Sequence, residues 1–128
     1  MHVLVVDDDP VSRIIFRQTL ESAGYTVTEA NDGVDALTVM RASQRRLVVL
    51  LDVVMPKSNG LSVVLAAMAD KKLNKRHSII LVSSSKRIPA FLQHLIDQGT
   101  LPFHSKSSSP EMLLEIVEAA NQRLQTNP

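Results

Sequence analysis

The chain has 128 residues, of which 45% are hydrophobic and 21% are charged, and its formal net charge is +1. One domain with an ordinary core fits this length, and so balanced a charge gives no argument for nucleic acid binding by the chain as a whole. The absence of cysteine excludes disulfides and thiolate chemistry, and the lack of an apolar run of about 18 residues or of a signal-type N-terminus leads us to expect a cytoplasmic protein.

Five apolar segments are predicted to be β-strands. They are residues 3–6, 25–30, 47–52, 78–83 and 101–105. Three of them, the first, third and fourth, are almost continuously apolar instead of alternating with polar residues. Continuous apolar character is typical of strands that are covered on both faces, as in a parallel sheet flanked by helices.

Helical patterns alternate with these strands, and their ends carry recognisable capping residues. Asp9 and Pro10 form an N-cap and first-turn pair, and Gly24 closes the same helix. The later helices are marked by Gly33, Gly60, Gly99 and Ser109-Pro110-Glu111. Five repeats of strand and helix predict a doubly wound α/β domain with right-handed crossovers and five helices. We expect this domain to cover residues 1–124, with residues 125–128 as a C-terminal tail or the start of a linker.

Polar residues follow the predicted strands at the points where the strands end. The first strand runs into Asp7-Asp8-Asp9, the third ends in Asp52, the fourth in Ser83 and the last in Ser105-Lys106. Open α/β sheets bind their ligands outside the carboxyl ends of the strands. We therefore expect carboxylates, a hydroxyl and one ammonium to converge on one edge of the sheet.

Such an edge suits phosphoryl transfer. Clustered carboxylates raise one another's pKa, and a divalent cation removes the repulsion; Mg²⁺ takes one or two carboxylates together with waters and a phosphate oxygen. Asp52 would be an oxygen nucleophile that forms an acyl phosphate. Lys106 would hold a phosphoryl oxygen as a point charge, and the Ser83 hydroxyl could donate to another.

The same residues carry a family resemblance. The DDD after the first strand, LLDVVMPKSNG around the third, LVSS at the end of the fourth and a lysine after the fifth resemble the receiver domain of two-component response regulators. The most distinctive stretch contains Asp52, Met55, Pro56 and Gly60. The resemblance extends from Val3 to about Leu124 and implies a flavodoxin-like fold, with a five-stranded parallel sheet in the order 2-1-3-4-5.

The resemblance implies a phospho-acceptor and a metal site. Asp52 matches the residue that takes a phosphoryl group from the phosphohistidine of a sensor histidine kinase or of a histidine phosphotransfer protein. Asp8 would bind Mg²⁺ directly and Asp7 mainly through water, with Asp52 and the backbone carbonyl of Val54 as further ligands; Mn²⁺ could substitute. The module would assist its own phosphorylation and dephosphorylation without being an enzyme that turns over an outside substrate.

The resemblance also implies a switch. Ser83 matches the hydroxyl that moves toward the phosphoryl group, Phe103 the aromatic residue that follows it, and Lys106 the phosphoryl-binding lysine. The surface that changes would be the fourth predicted helix, the last strand and the last helix, which could also form a homodimer. Ile15 on the first helix would be an exposed kinase contact. No membrane contact and no direct nucleic acid contact are expected.

Other interpretations remain open at this stage. Asp9 is interpreted as a helix cap and not as a metal ligand. Without a functional role, Ser83 would be a turn residue, Phe103 a core residue and Lys106 an ordinary surface lysine. The sequence departs from the family pattern at Ser107, where proline is usual, at Asn59 and in Thr100-Leu101-Pro102. The departure at Ser107 keeps a second function in view, a receiver-fold docking or dimerisation module that is not phosphorylated.

The sequence disfavours two other functions, that of a phosphatase and that of a flavin carrier. A haloacid-dehalogenase-type phosphatase needs a second Asp two residues after the nucleophile, and Val54 stands there. A flavin carrier needs a phosphate-binding loop after the first strand, where the three carboxylates of this chain would repel the FMN phosphate.

Overall fold

Five parallel strands form one sheet. The computed structural model describes residues 1–54, 60–84 and 87–126, and its strands are β1 (His2–Val6), β2 (Thr26–Ala30), β3 (Leu47–Asp52), β4 (Ser78–Ser83) and β5 (Phe103–Ser105). Their order is β2-β1-β3-β4-β5, so the predicted flavodoxin-like sheet is confirmed. All neighbouring strands pair in parallel, and each crossover contains at least one helix.

The helices are α1 (Pro10–Ser22), α2 (Gly33–Ala42), α3 (Gly60–Ala69), α4 (Lys71–Arg76), α5 (Ala90–Asp97) and α6 (Pro110–Thr126). The last of them continues two residues beyond 124, the expected end of the domain. Within the described ranges, no helix is long and apolar enough to cross a membrane.

The prediction of five helices was wrong, because the third predicted helix is divided at Asp70. The Asp70 carboxylate accepts hydrogen bonds from the backbone N–H groups of Lys72, at 3.0 Å, and Leu73, at 3.4 Å. An aspartate that bonds the backbone in this way favours a helix start over a helix interior. It therefore begins the short basic helix α4, which the sequence pattern had merged with α3.

The sheet separates two apolar layers, as continuously apolar strands require. All six residues of β3 are buried. In β1, Leu4 and Val6 belong to the layer under α2, α3 and α5, whereas Val3 and Val5 pack with α1 and α6 on the other face. Burial of one such side chain contributes about 1.5–3 kcal/mol. Successive side chains of β1 thus point to opposite faces of the sheet and pack against the helices on both sides.

The last strand is shorter than predicted. Residues 101 and 102 lie outside β5, because Pro102 has no N–H to donate to a neighbouring strand. Its carbonyl still accepts a 2.9 Å hydrogen bond from the backbone N–H of Leu81. The remaining strand, Phe103–Ser105, pairs with residues 81–83 and brings the chain to the carboxyl edge at Lys106.

Candidate functional site

Parallel pairing brings the first and third strand ends side by side. Val6 is paired with Leu51, so the next residues along the two strands, Asp7 and Asp52, are neighbours at the carboxyl edge. Oxygen atoms of Asp7, Asp8 and Asp52 all lie within 4.8 Å of one another. Asp7 is only 1% exposed and Asp52 6%, whereas Asp8 is exposed. The predicted acidic cluster is therefore present, with two carboxylates buried and the third open to solvent.

Lys106 is the cation of this cluster. Its Nζ lies 2.6 Å from Asp7 Oδ2 and 3.5 Å from Asp52 Oδ2. The backbone N–H of Lys106 donates to the Ser83 carbonyl at 3.0 Å, which joins the ends of β4 and β5. Ser107, in place of the usual proline, donates its N–H to Ser105 Oγ at 3.3 Å. The departure from the family pattern thus leaves the lysine among the carboxylates.

The two buried carboxylates are incompletely neutralised. Burial and, second, the charge of Asp7 raise the pKa of Asp52 to about 6, although Lys106 acts in the opposite direction. Burial opposes the charge of Lys106, but its contacts with Asp7 and Asp52 raise its pKa overall. The ammonium approaches Asp7 Oδ2 outside hydrogen-bond geometry, and this buried oxygen has no hydrogen-bond donor among the described residues. Among the described residues, the Lys106 ammonium thus contacts the two buried carboxylates, and one Asp7 oxygen has no donor in hydrogen-bond geometry.

Backbone groups orient the carboxylates. The N–H of Asp9 donates to Asp7 Oδ1 at 2.9 Å, and the N–H of Val54 donates to Asp52 Oδ1 at 3.2 Å. Asp9 itself caps α1, since its Oδ1 accepts from the Val11 N–H at 3.0 Å, as the sequence predicted. Each buried carboxylate thus has one oxygen held by the backbone and the other directed to Lys106.

The first residue of α3, Gly60, closely approaches the backbone at the end of β3. Gly60 donates its N–H to the Val53 carbonyl at 3.0 Å. A Cβ atom at Gly60 would lie 3.1 Å from both the Asp52 carbonyl oxygen and Val53 Cα, and both are backbone atoms that cannot move aside easily. The lack of space therefore favours glycine at this position. Met55, Pro56 and Asn59, which belong to the same motif, lie outside the described residues.

Two residues of α1 support the site and were missed by sequence reasoning. Ser12 Oγ lies 3.3 Å from Lys106 Nζ and donates to Asp9 Oδ2 at 3.0 Å. Arg13 donates from Nη1 to the Asp7 backbone carbonyl at 2.6 Å and forms an ion pair with Glu29 at 3.1 Å. Ser12 stands three residues after the cap Asp9, a spacing that predicts its hydrogen bond to Asp9 but not its contact with Lys106.

The other predicted site residues occupy distinct environments. Ser83 is buried at the end of β4, at the same edge as Asp52. Phe103 is half-buried and packs on the apolar layer under α2, α3 and α5. Ile15 is 55% exposed on α1, beside the exposed side chains of Val11 and Ile14. Ser83 thus lies at the acidic edge, Phe103 lies further from it, and Ile15 is available to a partner.

The acidic cluster fits a divalent metal ion. Asp7, Asp8 and Asp52 supply only carboxylate oxygens, the ligands that Mg²⁺ prefers. The buried Asp7 oxygen without a hydrogen-bond donor is the kind of atom that a cation or its bound water would satisfy. Exposure of Asp8 leaves one side open for water and for an incoming oxyanion.

Comparison with known proteins gives a consistent result. A family model described as the response regulator receiver domain matches residues 3–118. The response regulator MprA of Mycobacterium avium is 48% identical over 63 residues, which are 49% of this chain and 27% of that protein. This chain therefore spans only part of the length of that relative.

Solved structures are similar over nearly the whole chain. The chemotaxis protein CheY4 of Vibrio cholerae has 29% identity and a TM-score of 0.78, covering 93% of this chain and 97% of that one. The response regulator TrrA of Thermotoga maritima, solved in complex with Mg²⁺ and beryllofluoride, has 27% identity and a TM-score of 0.76 over the same shares.

Proposed function

This chain belongs to the response regulator receiver domain family, and we propose that its Asp52 accepts a phosphoryl group from a sensor histidine kinase or a histidine phosphotransfer protein. The observation that carries the proposal is the cluster of Asp7, Asp8 and Asp52, two of whose carboxylates contact the ammonium of Lys106. Phosphoryl transfer depends mainly on positioning and on neutralising charge, and this edge provides both.

Asp52 is the proposed nucleophile. One of its oxygens accepts from the Val54 N–H, and Oδ2 is directed to Lys106. A bond forms between an Asp52 oxygen and phosphorus while the P–N bond of the donor phosphohistidine breaks, and the imidazole leaves with the bonding electron pair. The raised pKa of Asp52, about 6, still leaves this carboxylate ionised and nucleophilic at neutral pH.

A bound Mg²⁺ would neutralise charge between the carboxylates and the incoming phosphoryl oxygens. Asp8 would hold it directly, Asp7 mainly through water, and Asp52 and the Val54 carbonyl would complete the protein ligands. Mn²⁺ accepts the same oxygen ligands and would substitute. The Mg²⁺–beryllofluoride complex of the similar TrrA structure supports this arrangement by analogy.

Lys106 and Ser83 are proposed to bind the transferred group. Lys106 would exchange part of its contact with Asp7 for a phosphoryl oxygen, since a lysine acts as a mobile point charge. The Ser83 hydroxyl would donate to a second oxygen, and Phe103 would follow that movement. The affected surface is α5, β5 and α6, so phosphorylation would shift the population between two arrangements of that surface and could favour a homodimer.

The kinase or phosphotransfer protein is proposed to dock on α1. Exposed Val11, Ile14 and Ile15 stand next to the acidic edge, because α1 begins directly after Asp9. A docking module that is never phosphorylated was the alternative suggested by Ser107. Lys106 nevertheless contacts both buried carboxylates, so the phospho-accepting function is the one that the geometry supports better.

The test is intact mass spectrometry after incubation with acetyl phosphate, with and without Mg²⁺. We expect wild type to gain one phosphoryl group only with Mg²⁺ and Asp52→Asn to gain none. Asp97→Asn, which changes an exposed aspartate in α5, is the matched control and should be labelled like wild type. Equal labelling of Asp52→Asn, or no labelling of wild type together with no response to beryllofluoride, would reject the proposal.

A further inference from the structure

A groove lies at the edge of the sheet opposite the acidic cluster. It has a volume of about 570 Å³ and is formed by the end of α4, the start of β4, the segment before β5 and the last turns of α6. Its walls include Lys75, Ile79, Ile96, Leu101 and Arg123. Its volume falls in the range of about 300–1,000 Å³ that is typical of binding sites.

A small apolar cavity opens beside this groove. It has a volume of about 120 Å³ between α3, α4 and α5 and is lined by Val64, Met68, Leu95 and Leu101 among others. Leu101 lines both spaces, as does the exposed Thr100. A cavity of roughly 150 Å³ can hold a benzene molecule, so this one suits a single branched aliphatic side chain.

The surroundings of the groove are basic. A second depression, lined by Arg45 and Arg46, meets the groove at Leu124. Arg46 is held there by a 2.6 Å hydrogen bond from its Nη1 to the Leu124 carbonyl. The described residues that line the two depressions include four lysine or arginine side chains and no carboxylate. Among the described residues, Lys75 and Arg123 form no ion pair.

We propose that this groove docks an acidic segment of another protein, with its carboxylates facing Lys75, Arg123 and Arg45 and one aliphatic side chain in the cavity. Charge complementarity selects an anionic partner, because Lys75, Arg123 and Arg45 are placed together and none of the described lining residues is a carboxylate. The aliphatic cavity selects a peptide over a nucleic acid, since single-stranded nucleic acids rely on aromatic side chains for stacking and the described lining residues include one Phe, Phe103, and no Tyr or Trp.

The test is fluorescence anisotropy with the full chain and a labelled 12-residue peptide of glutamates that contains two leucines. We expect saturable binding that weakens about tenfold in Lys75→Glu/Arg123→Glu. Lys71→Glu/Lys72→Glu is the matched control, because it makes the same change in net charge on the exposed first turn of α4, outside the groove. At physiological salt, charges beyond about 8 Å are screened, so the control should lose less than about threefold.

The aliphatic contact is tested separately. Thr100→Phe places a ring at the mouth of the cavity without removing a core side chain, and the peptide should then bind about tenfold more weakly. Replacing both peptide leucines by serine should have a similar effect on wild type. Thermal unfolding and acetyl phosphate labelling establish that each variant is folded, since none of the changed residues contacts the acidic cluster.

Four results would overturn the proposal. The first is the absence of saturable peptide binding, and the second is an equal loss of peptide affinity in the two charge variants. The third is tighter binding of a 12-nucleotide thymidine strand than of the peptide. The fourth is the formation of concentration-dependent dimers, seen by sedimentation, that dissociate when the peptide is added. The third result would assign the groove to nucleic acid, and the last would assign it to a second copy of this chain.

Discussion

The two edges of the sheet each bury titratable side chains, but in opposite ways. At the carboxyl edge, Asp7 and Asp52 are packed together with an oxygen that lacks a hydrogen-bond donor. At the other edge, His77 is buried with both ring nitrogens satisfied: Nδ1 accepts from the Leu47 N–H at 3.0 Å and Nε2 donates to the Met40 carbonyl at 2.8 Å. At one edge two buried carboxylates share the ammonium of Lys106, and at the other the buried histidine has both of its hydrogen bonds.

This difference separates a reactive site from a structural one. A buried polar group that makes all of its hydrogen bonds stabilises the fold and has no donor or acceptor left for a ligand. A cluster of like charges costs stability and is relieved by a cation or a proton. Burial alone therefore does not mark function; the state of the hydrogen-bond partners does. The comparison predicts that variants at the two edges will change the free energy of unfolding in opposite directions.

The largest effect is expected at His77. His77→Ala leaves a buried N–H of Leu47 and a buried carbonyl of Met40 without partners, and each such group costs about 1–3 kcal/mol. We expect the free energy of unfolding to fall by about 2–4 kcal/mol in urea titrations. His94→Ala, an exposed position in α5, is the control and should change it by less than about 0.5 kcal/mol. Similar values for the two variants would contradict the structural role of His77.

The two edges also differed in how well the sequence predicted them. Asp7, Asp8, Asp52 and Lys106 were placed correctly at one edge because parallel strands all end on the same side of a sheet. The positions of these residues follow from the strand boundaries alone and do not depend on how any helix is rotated. The interaction of Lys106 with Ser12 depends instead on how α1 is rotated against the sheet, which hydrophobic periodicity gives only to within about one residue.

At the other edge, the role of His77 could not be predicted. It depends on three elements meeting at one ring, the end of α2, the start of β3 and the end of α4. The sequence pattern did not separate α4 from α3, because helix-forming residues continue on both sides of the single residue Asp70. Without that boundary, the sequence predicts no neighbours for His77.

A smaller effect of opposite sign is expected at Asp52. Its pKa is raised from 3.8 to about 6 in the folded state, so the folded protein binds the proton more tightly than the unfolded chain. Stability therefore falls as the pH rises from about 4 to 6, and the full cost is present at pH 7. Asp52→Asn should stabilise the metal-free protein by about 1–2 kcal/mol at pH 7, after allowance for partial solvent access.

Thermal unfolding at pH 7 with and without Mg²⁺ measures this effect. Wild type should gain stability when Mg²⁺ is added, because binding to the folded state alone shifts the equilibrium. Asp52→Asn should start higher and gain less. A variant that is less stable than wild type without metal would show that Asp52 is not a site of unrelieved repulsion, and the contrast with His77 would fail.

The smallest effect is the pH dependence contributed by two buried histidines, His77 at the far edge and His104, which lies level with Asp52 across the sheet. Burial and the charge of Arg76 lower the pKa of His77 below 6.5, although the Met40 carbonyl acts in the opposite direction; burial also lowers that of His104. The unfolded chain then binds more protons than the folded protein as the pH falls through 6.5. Stability should be constant above about pH 7 and decline by about 1 kcal/mol toward pH 5.5.

This decline should be measured in the Asp52→Asn variant. In wild type, titration of Asp52 changes the free energy of unfolding with the opposite sign below pH 6. His77→Gln in the same background removes one titrating ring and should reduce the slope, leaving the part that belongs to His104 and His2, whose pKa values burial also lowers. An unchanged slope would mean that His77 can be protonated without loss of its contacts. That result cannot hold if the Leu47 N–H donates to Nδ1, since a protonated Nδ1 has no lone pair to accept it.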